Sequence, residues 1–171
     1  MSDRPRGGQA ADDRTADTVA GAVRWPAAGT LDRIAFARLD ESSRDAVRTS
    51  PVPVLVLREP ALLAVTRVMT GPAWYAIAAR EGGLTISLGG TRLAHPHPGV
   101  APARGRSIVR GEPAFVTQNE AIWSASWLEN GVAYVLEVEC DTPSEPRCAD
   151  ERTLLGLTAA LSYVGGAGGQ P

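Results

Sequence analysis

Asn130-Gly131 constrains this chain more than any other dipeptide in it. Both central residues of a type I′ turn need φ > 0, which Asn and Gly tolerate, so Asn-Gly between alternating apolar runs marks a two-residue hairpin. With that turn in place Glu129 faces Val132, and the register of the flanking strands is set. Trp127 then lies opposite Tyr134, Ala125 opposite Leu136 and Trp123 opposite Val138. Ser124, Ser126, Glu137 and Glu139 fall on the other side. One apolar and one largely polar face is the pattern of a sheet covered on a single side.

The bulk properties narrow the classes. The chain has 171 residues and 44% hydrophobic content, enough for one domain with a sizeable core. A formal charge of -2 removes the electrostatic drive behind most nucleic-acid binding, so no nucleic-acid partner is expected. All 17 basic residues are arginine, which excludes lysine-based Schiff-base chemistry. No run approaches the ~18 apolar residues of a membrane span, and the first 24 residues lack the apolar core of a signal peptide.

The two cysteines, Cys140 and Cys148, enclose a polar, proline-containing loop directly after the hairpin. That spacing lets the thiols meet without strain, and a disulfide is expected. It implies an oxidising compartment and hence a leader upstream of Met1; two reduced thiols would instead fit the cytoplasm.

Read along its length, the chain predicts an α+β fold. Residues 1–24 are rich in Gly, Ala, Asp and Arg without periodicity and read as a disordered tail or tether, with order beginning at Trp25. Thr30 and Asp40 are expected to cap two short helices. Val54 to Leu57 reads as a strand, and Ala61 to Met69 is ambiguous between helix and strand. Gly82-Gly83 predicts a second hairpin, with Ala79 opposite Ile86 and Ile77 opposite Leu88; Gly89-Gly90 suggests a bulge or a close approach. Ser107 to Arg110 and Ala114 to Thr117 read as further strands, and Asp150 is expected to cap a helix through Ser162 that Gly165-Gly166 stops. The sum is an antiparallel meander of about five to seven strands, short N-terminal helices and a C-terminal helix packed on one face. Residues 25–164 form the single domain and 165–171 a flexible tail.

Trp127, Glu129, Gly131, Tyr134 and Leu136 form the pattern W-x-E-x-G-x-x-Y-x-L, followed by a short polar connection and a Leu/Ala-rich segment ending in Leu161-Ser162. Over about 40 residues this resembles the C-terminal hairpin and helix of a poorly characterised domain found in the extracytoplasmic regions of bacterial anti-sigma factors and in envelope lipoproteins. The resemblance implies a periplasmic or cell-envelope setting and brings no catalytic residues. The chain departs from that family in its Cys140/Cys148 loop and has no sigma-binding helical region upstream.

Candidate chemistry is sparse. His95 and His97 are the only histidines; they supply two ligands where a zinc site needs three or four, so neither a metal nor another cofactor is expected. No serine sits in a nucleophile elbow. Glu120, Glu129, Glu137 and Glu139 supply carboxylates that solvation of an open sheet face accounts for. Arg104, Arg106 and Arg110 form a small basic group suited to an anionic partner. These features favour a non-enzymatic envelope module that binds, senses or stabilises a protein or other envelope component, with His95, His97 and the three arginines as contacts. A small hydrolase pairing a carboxylate with His95 or His97, and a cytoplasmic interaction protein, are the alternative readings.

Overall fold

In the computed structural model, which describes residues 19–94, 99, 103–142 and 144–169, Asn130 and Gly131 take φ of 57° and 78° and close the expected hairpin. In chain order the elements are β1 (Val19–Ala20), α1 (Arg33–Arg38), α2 (Glu41–Thr49), β2 (Val54–Leu57), α3 (Pro60–Val65), β3 (Arg67–Gly71), β4 (Trp74–Glu81), β5 (Leu84–Thr91) and β6 (Leu93–Ala94). There follow β7 (Ser107–Val109), β8 (Glu112–Asn119), β9 (Ile122–Glu129), β10 (Val132–Cys140), α4 (Arg152–Ala159) and β11 (Leu161–Gly165). The fold is α+β, and its main sheet is antiparallel with strand order β3-β4-β5-β10-β9-β8-β7. Two meanders therefore meet where β10 pairs with β5.

Both hairpin registers are as the turn chemistry predicts. Trp127 pairs with Tyr134, Ala125 with Leu136 and Trp123 with Val138, while Ala79 pairs with Ile86 and Ile77 with Leu88. Gly89 and Gly90 make no bulge, because β5 stays in continuous register with both neighbours. The ambiguous Ala61 to Met69 segment divides into α3 and β3. Pro60 supplies a preset first helical residue and the Glu59 carboxylate accepts from Leu62 N–H, which starts the helix.

One face of the sheet is covered. Its inward residues, among them Tyr75, Ile86, Leu88, Tyr134 and Leu136, are almost wholly buried under β2, β11 and the helices α1 to α3. Two tyrosines stitch the layers together: Tyr75 accepts at its hydroxyl from Leu55 N–H at 3.1 Å, and the Tyr134 hydroxyl donates to the Pro53 carbonyl at 2.9 Å. α4 packs over β7, β9 and β10. At the β3 edge, α2 lies alongside and Ser43 Oγ accepts from Val68 N–H at 3.1 Å, blunting an edge that would otherwise invite pairing.

Four expectations need correction. The C-terminal helix ends at Ala159, and Leu161 to Gly165 forms a strand antiparallel to β2, because Leu161, Tyr163 and Val164 fill the second layer. Gly166 to Gly169 is not a free tail as far as it is described: Ala167 N–H donates to Ser50 at 2.8 Å, and the Trp25 indole sits where a Cβ on Gly166 or Gly168 would project. Order begins before Trp25, since Val19 and Ala20 pair with Ala94 and Leu93. The first helix is capped by Asp32, whose carboxylate accepts from Ala35 N–H, while the Thr30 hydroxyl turns back to the Ala27 carbonyl. Asp40 caps α2 as expected, and Asp150 bonds Arg152 N–H at the start of α4. Residues 1–18 of the expected N-terminal tail, and Gln170 and Pro171, lie outside the described residues.

Cys140 and Cys148 form the expected disulfide, with Cα atoms 6.1 Å apart. It ties the end of β10 to the turn before α4, and the Trp123 indole N–H donates to the Cys148 carbonyl at 3.0 Å on the same side.

Candidate functional site

The motif residues of the hairpin build a polar knot under the sheet. A positive φ of 54° at Arg110, in the β7–β8 turn, sends its side chain inward to Glu129. The guanidinium makes a forked pair with that carboxylate at 2.8 and 3.2 Å and donates to the Leu161 carbonyl at 2.8 Å. Trp127 Nε1 donates to Glu129 at 3.0 Å, the Asn130 amide donates to the Tyr163 hydroxyl at 3.1 Å, and Arg110 lies 5.3 Å from the centre of the Tyr163 ring. Gly131 is needed for its positive φ and because Ala22 crosses so closely that a Cβ would strike its carbonyl.

Electrostatics inside the knot are balanced. Burial opposes charge on Glu129, but hydrogen bonds from Arg110, Trp127 and Tyr163 outweigh it and hold the carboxyl below its ordinary range. Burial, aided by the Glu129 charge, pushes the Tyr163 phenol up to about 12. Glu129 is thereby held as a charged partner of Arg110 and Trp127. Arg110 is likewise spent on the interior.

The other face of the main sheet carries no covering layer among the described residues. Met69, Trp74, Ile108, Phe115, Leu128 and Val135, six of the nine large apolar side chains left exposed among the described residues, lie on it. The strand registers align them in two adjacent rungs. One rung runs Trp74, Thr91, Ala133, Leu128; the next runs Met69, Ala76, Gly89, Val135, Ser126, Phe115. Beyond them the face turns polar, with Arg67, Ser87, Glu137, Ser124 and Thr117 in the third rung. The result is an apolar band at one end of an open sheet. At the β8 end it deepens into a groove of about 600 Å³, floored by Pro113, Phe115, Leu128, Ala133 and Val135 and walled by Ala103 to Gly105.

The structure separates the three expected arginine contacts. Arg104 lines the groove on the open face, Arg106 is exposed two residues further on, and Arg110 is partly buried on the opposite side of the sheet. His95 and His97 lie outside the described residues. Glu137 and Glu139 sit on the polar part of the open face, and Glu120, at φ 55°, serves the β8–β9 turn. Trp123 and Trp127 belong to the covered side, whereas Trp74 is 39% exposed on the band. The band itself escaped sequence reading, although Leu128, Ala133 and Val135 are visible as apolar exceptions on the hairpin's polar side. Among the described residues no three His, Cys, Asp or Glu side chains are grouped to hold a metal, and no helix is long and apolar enough to cross a membrane. Compared with protein-family models, curated proteins and solved structures, the chain matches none of them.

Proposed function

We propose that this chain is a non-catalytic binding module of a bacterial cell envelope, taking its ligand on the open apolar band. The band carries the reading: a contiguous exposed apolar patch on one face of a folded domain is the mark of an interaction surface. The Cys140–Cys148 disulfide supports an oxidising, extracytoplasmic compartment, and the resemblance of the hairpin motif to envelope and anti-sigma-factor domains points the same way. The polar knot explains that motif through folding, so the resemblance bears on setting and architecture; the ligand is argued from the band alone.

Titration with the apolar fluorophore anilinonaphthalene sulfonate tests the assignment of the surface. The wild-type protein, oxidised and folded, is expected to bind it. The double variant Phe115→Asp, Leu128→Asp is expected to lose at least ten-fold in affinity while its melting temperature stays within a few degrees, because both side chains already face solvent. Equal binding by the two proteins would refute the assignment.

A further inference from the structure

We infer that the band takes a single elongated amphiphile, a hydrocarbon chain lying across the strands with an anionic head at Arg104. The inference rests on the band being a binding surface and names what it binds. Its shape sets the first requirement. From β3 to β8 the band crosses six strands, about 24 Å at ~4.8 Å per spacing, and is only two rungs wide. Large side chains stand at its two ends, Met69 and Trp74 at one and Phe115 and Leu128 at the other. Between them lie the small Ala76, Gly89 and Ala133, with Thr91 and Val135 the larger side chains of the middle.

Gly89 is informative because nothing beneath it demands glycine. A Cβ there would lie 3.8 Å from the nearest atom, the Tyr75 carbonyl oxygen, an ordinary contact, and its φ is not in the left-handed region. Its neighbour Gly90 is different: a Cβ there would come within 2.5 Å of the Tyr75 ring. Gly90 serves packing; Gly89 leaves the floor of the band open, at a cost in strand propensity.

Chemistry sets the second requirement. β4, β5, β10 and β9 are each paired on both sides, so their backbone groups are already bonded within the sheet. An occupant lying over them gains no hydrogen bonds from the floor, and a body with few polar groups to desolvate fits best. A peptide strand, which carries a donor and an acceptor at nearly every residue, fits poorly. Charge fixes the polarity. Arg104 lines the groove at the β8 end, is exposed, and has no ion-pair partner among the described residues; Arg106 follows close by. Glu112 also reaches this groove, but strand alternation gives its side chain the covered side with Ala114. Glu137 and Glu139 on the polar part of the face oppose an anionic head there.

The test titrates the oxidised full chain with decanoate, dodecanoate and tetradecanoate below their micelle concentrations, following tryptophan fluorescence and heat. Binding is expected at one per chain, with affinity rising about four-fold per added CH2, the equivalent of ~0.8 kcal/mol. Dodecyltrimethylammonium, with a cationic head, is expected to bind at least ten-fold more weakly than dodecanoate. Arg104→Gln should erase that preference, and Gly89→Val should weaken all the chains by filling the floor. Anilinonaphthalene sulfonate binding that Phe115→Asp, Leu128→Asp abolishes, without any response to the acyl anions, would overturn this inference and leave the binding surface standing. No binding of either probe would overturn both. Association with phosphatidylglycerol vesicles but with no monomeric amphiphile would also overturn it, in favour of a membrane surface as partner.

Discussion

Adjacent glycines should respond in opposite directions to the same substitution. Gly90 lies on the covered face, where an added Cβ would sit 2.5 Å from Tyr75 Cε1 and 2.9 Å from Tyr134 Cε1. Neither ring can swing aside freely, since Tyr75 is tied to Leu55 and Tyr134 to Pro53 through buried hydrogen bonds. Overpacking of this kind costs about 1–3 kcal/mol, and straining one of those bonds adds about 1 kcal/mol. The reduced entropy of the unfolded chain returns only about 0.4–1 kcal/mol. Gly90→Ala is therefore expected to destabilise by about 1.5–3 kcal/mol, a fall in melting temperature of roughly 4–10 °C for a domain of this size. Gly89→Ala meets only an ordinary 3.8 Å contact, so the entropy gain prevails and the melting temperature should hold or rise. Calorimetric melting of the two variants beside wild type is the assay. Equal shifts for both, or a Gly90→Ala protein within 1 °C of wild type, would refute the packing argument.

Other expectations follow from the knot and the disulfide. Glu129 is held below its ordinary value, so the stability it contributes is present above the unfolded carboxyl pKa of about 4.3 and is lost as pH falls through the folded value. Glu129→Gln should lower stability at pH 7 by about 1.5–3 kcal/mol, by leaving the partly buried Arg110 without its counter-charge, and should flatten the acid limb of a denaturation profile. All three tyrosines are raised, chiefly by burial, so absorbance at 295 nm should show no tyrosinate step near pH 10. Their contribution to stability is present below pH 10 and lost as pH climbs toward the folded values, and ionisation should coincide with unfolding; a separate step near pH 10 would contradict their burial. Opening the nine-residue loop by reducing Cys140–Cys148 costs about 2.5 kcal/mol in the chain-entropy model, and melting with and without reductant should differ by roughly 5–10 °C.

How much was legible in the sequence depended on how local the determining interaction was. The two hairpins were read to the residue because Asn130-Gly131 and Gly82-Gly83 set their own registers. The disulfide was read from an eight-residue separation. β11 was missed because Leu161 to Gly165 follows a helical run without a break, and its identity as a strand comes from β2, more than a hundred residues earlier. The inward role of Arg110 was missed for a related reason: its partner Glu129 and its acceptor Leu161 lie on other elements, and a positive φ in the turn decides which way it points. The apolar band was partly visible. Leu128, Ala133 and Val135 share the side assigned to Ser126 and Glu137, but their continuation through Gly89 and Ala76 to Met69, and through Thr91 to Trp74, depends on β10 joining β5.

The pairing of β2 with β11 also makes completion of this fold a late event. Leu57 meets Leu161 across more than a hundred residues of chain, whereas the hairpins and the disulfide loop close over short stretches. Loops of that length close slowly relative to local turns, so the sheet can form its registers while its covering layer is still open. Until β11 arrives, Val54 to Leu57 has no strand partner, and both Arg110 and Glu129 are more open to water. A chain cut after Ala160 would remain arrested at that stage, with a formed sheet, an uncovered core and the aggregation hazard of an unpaired apolar strand.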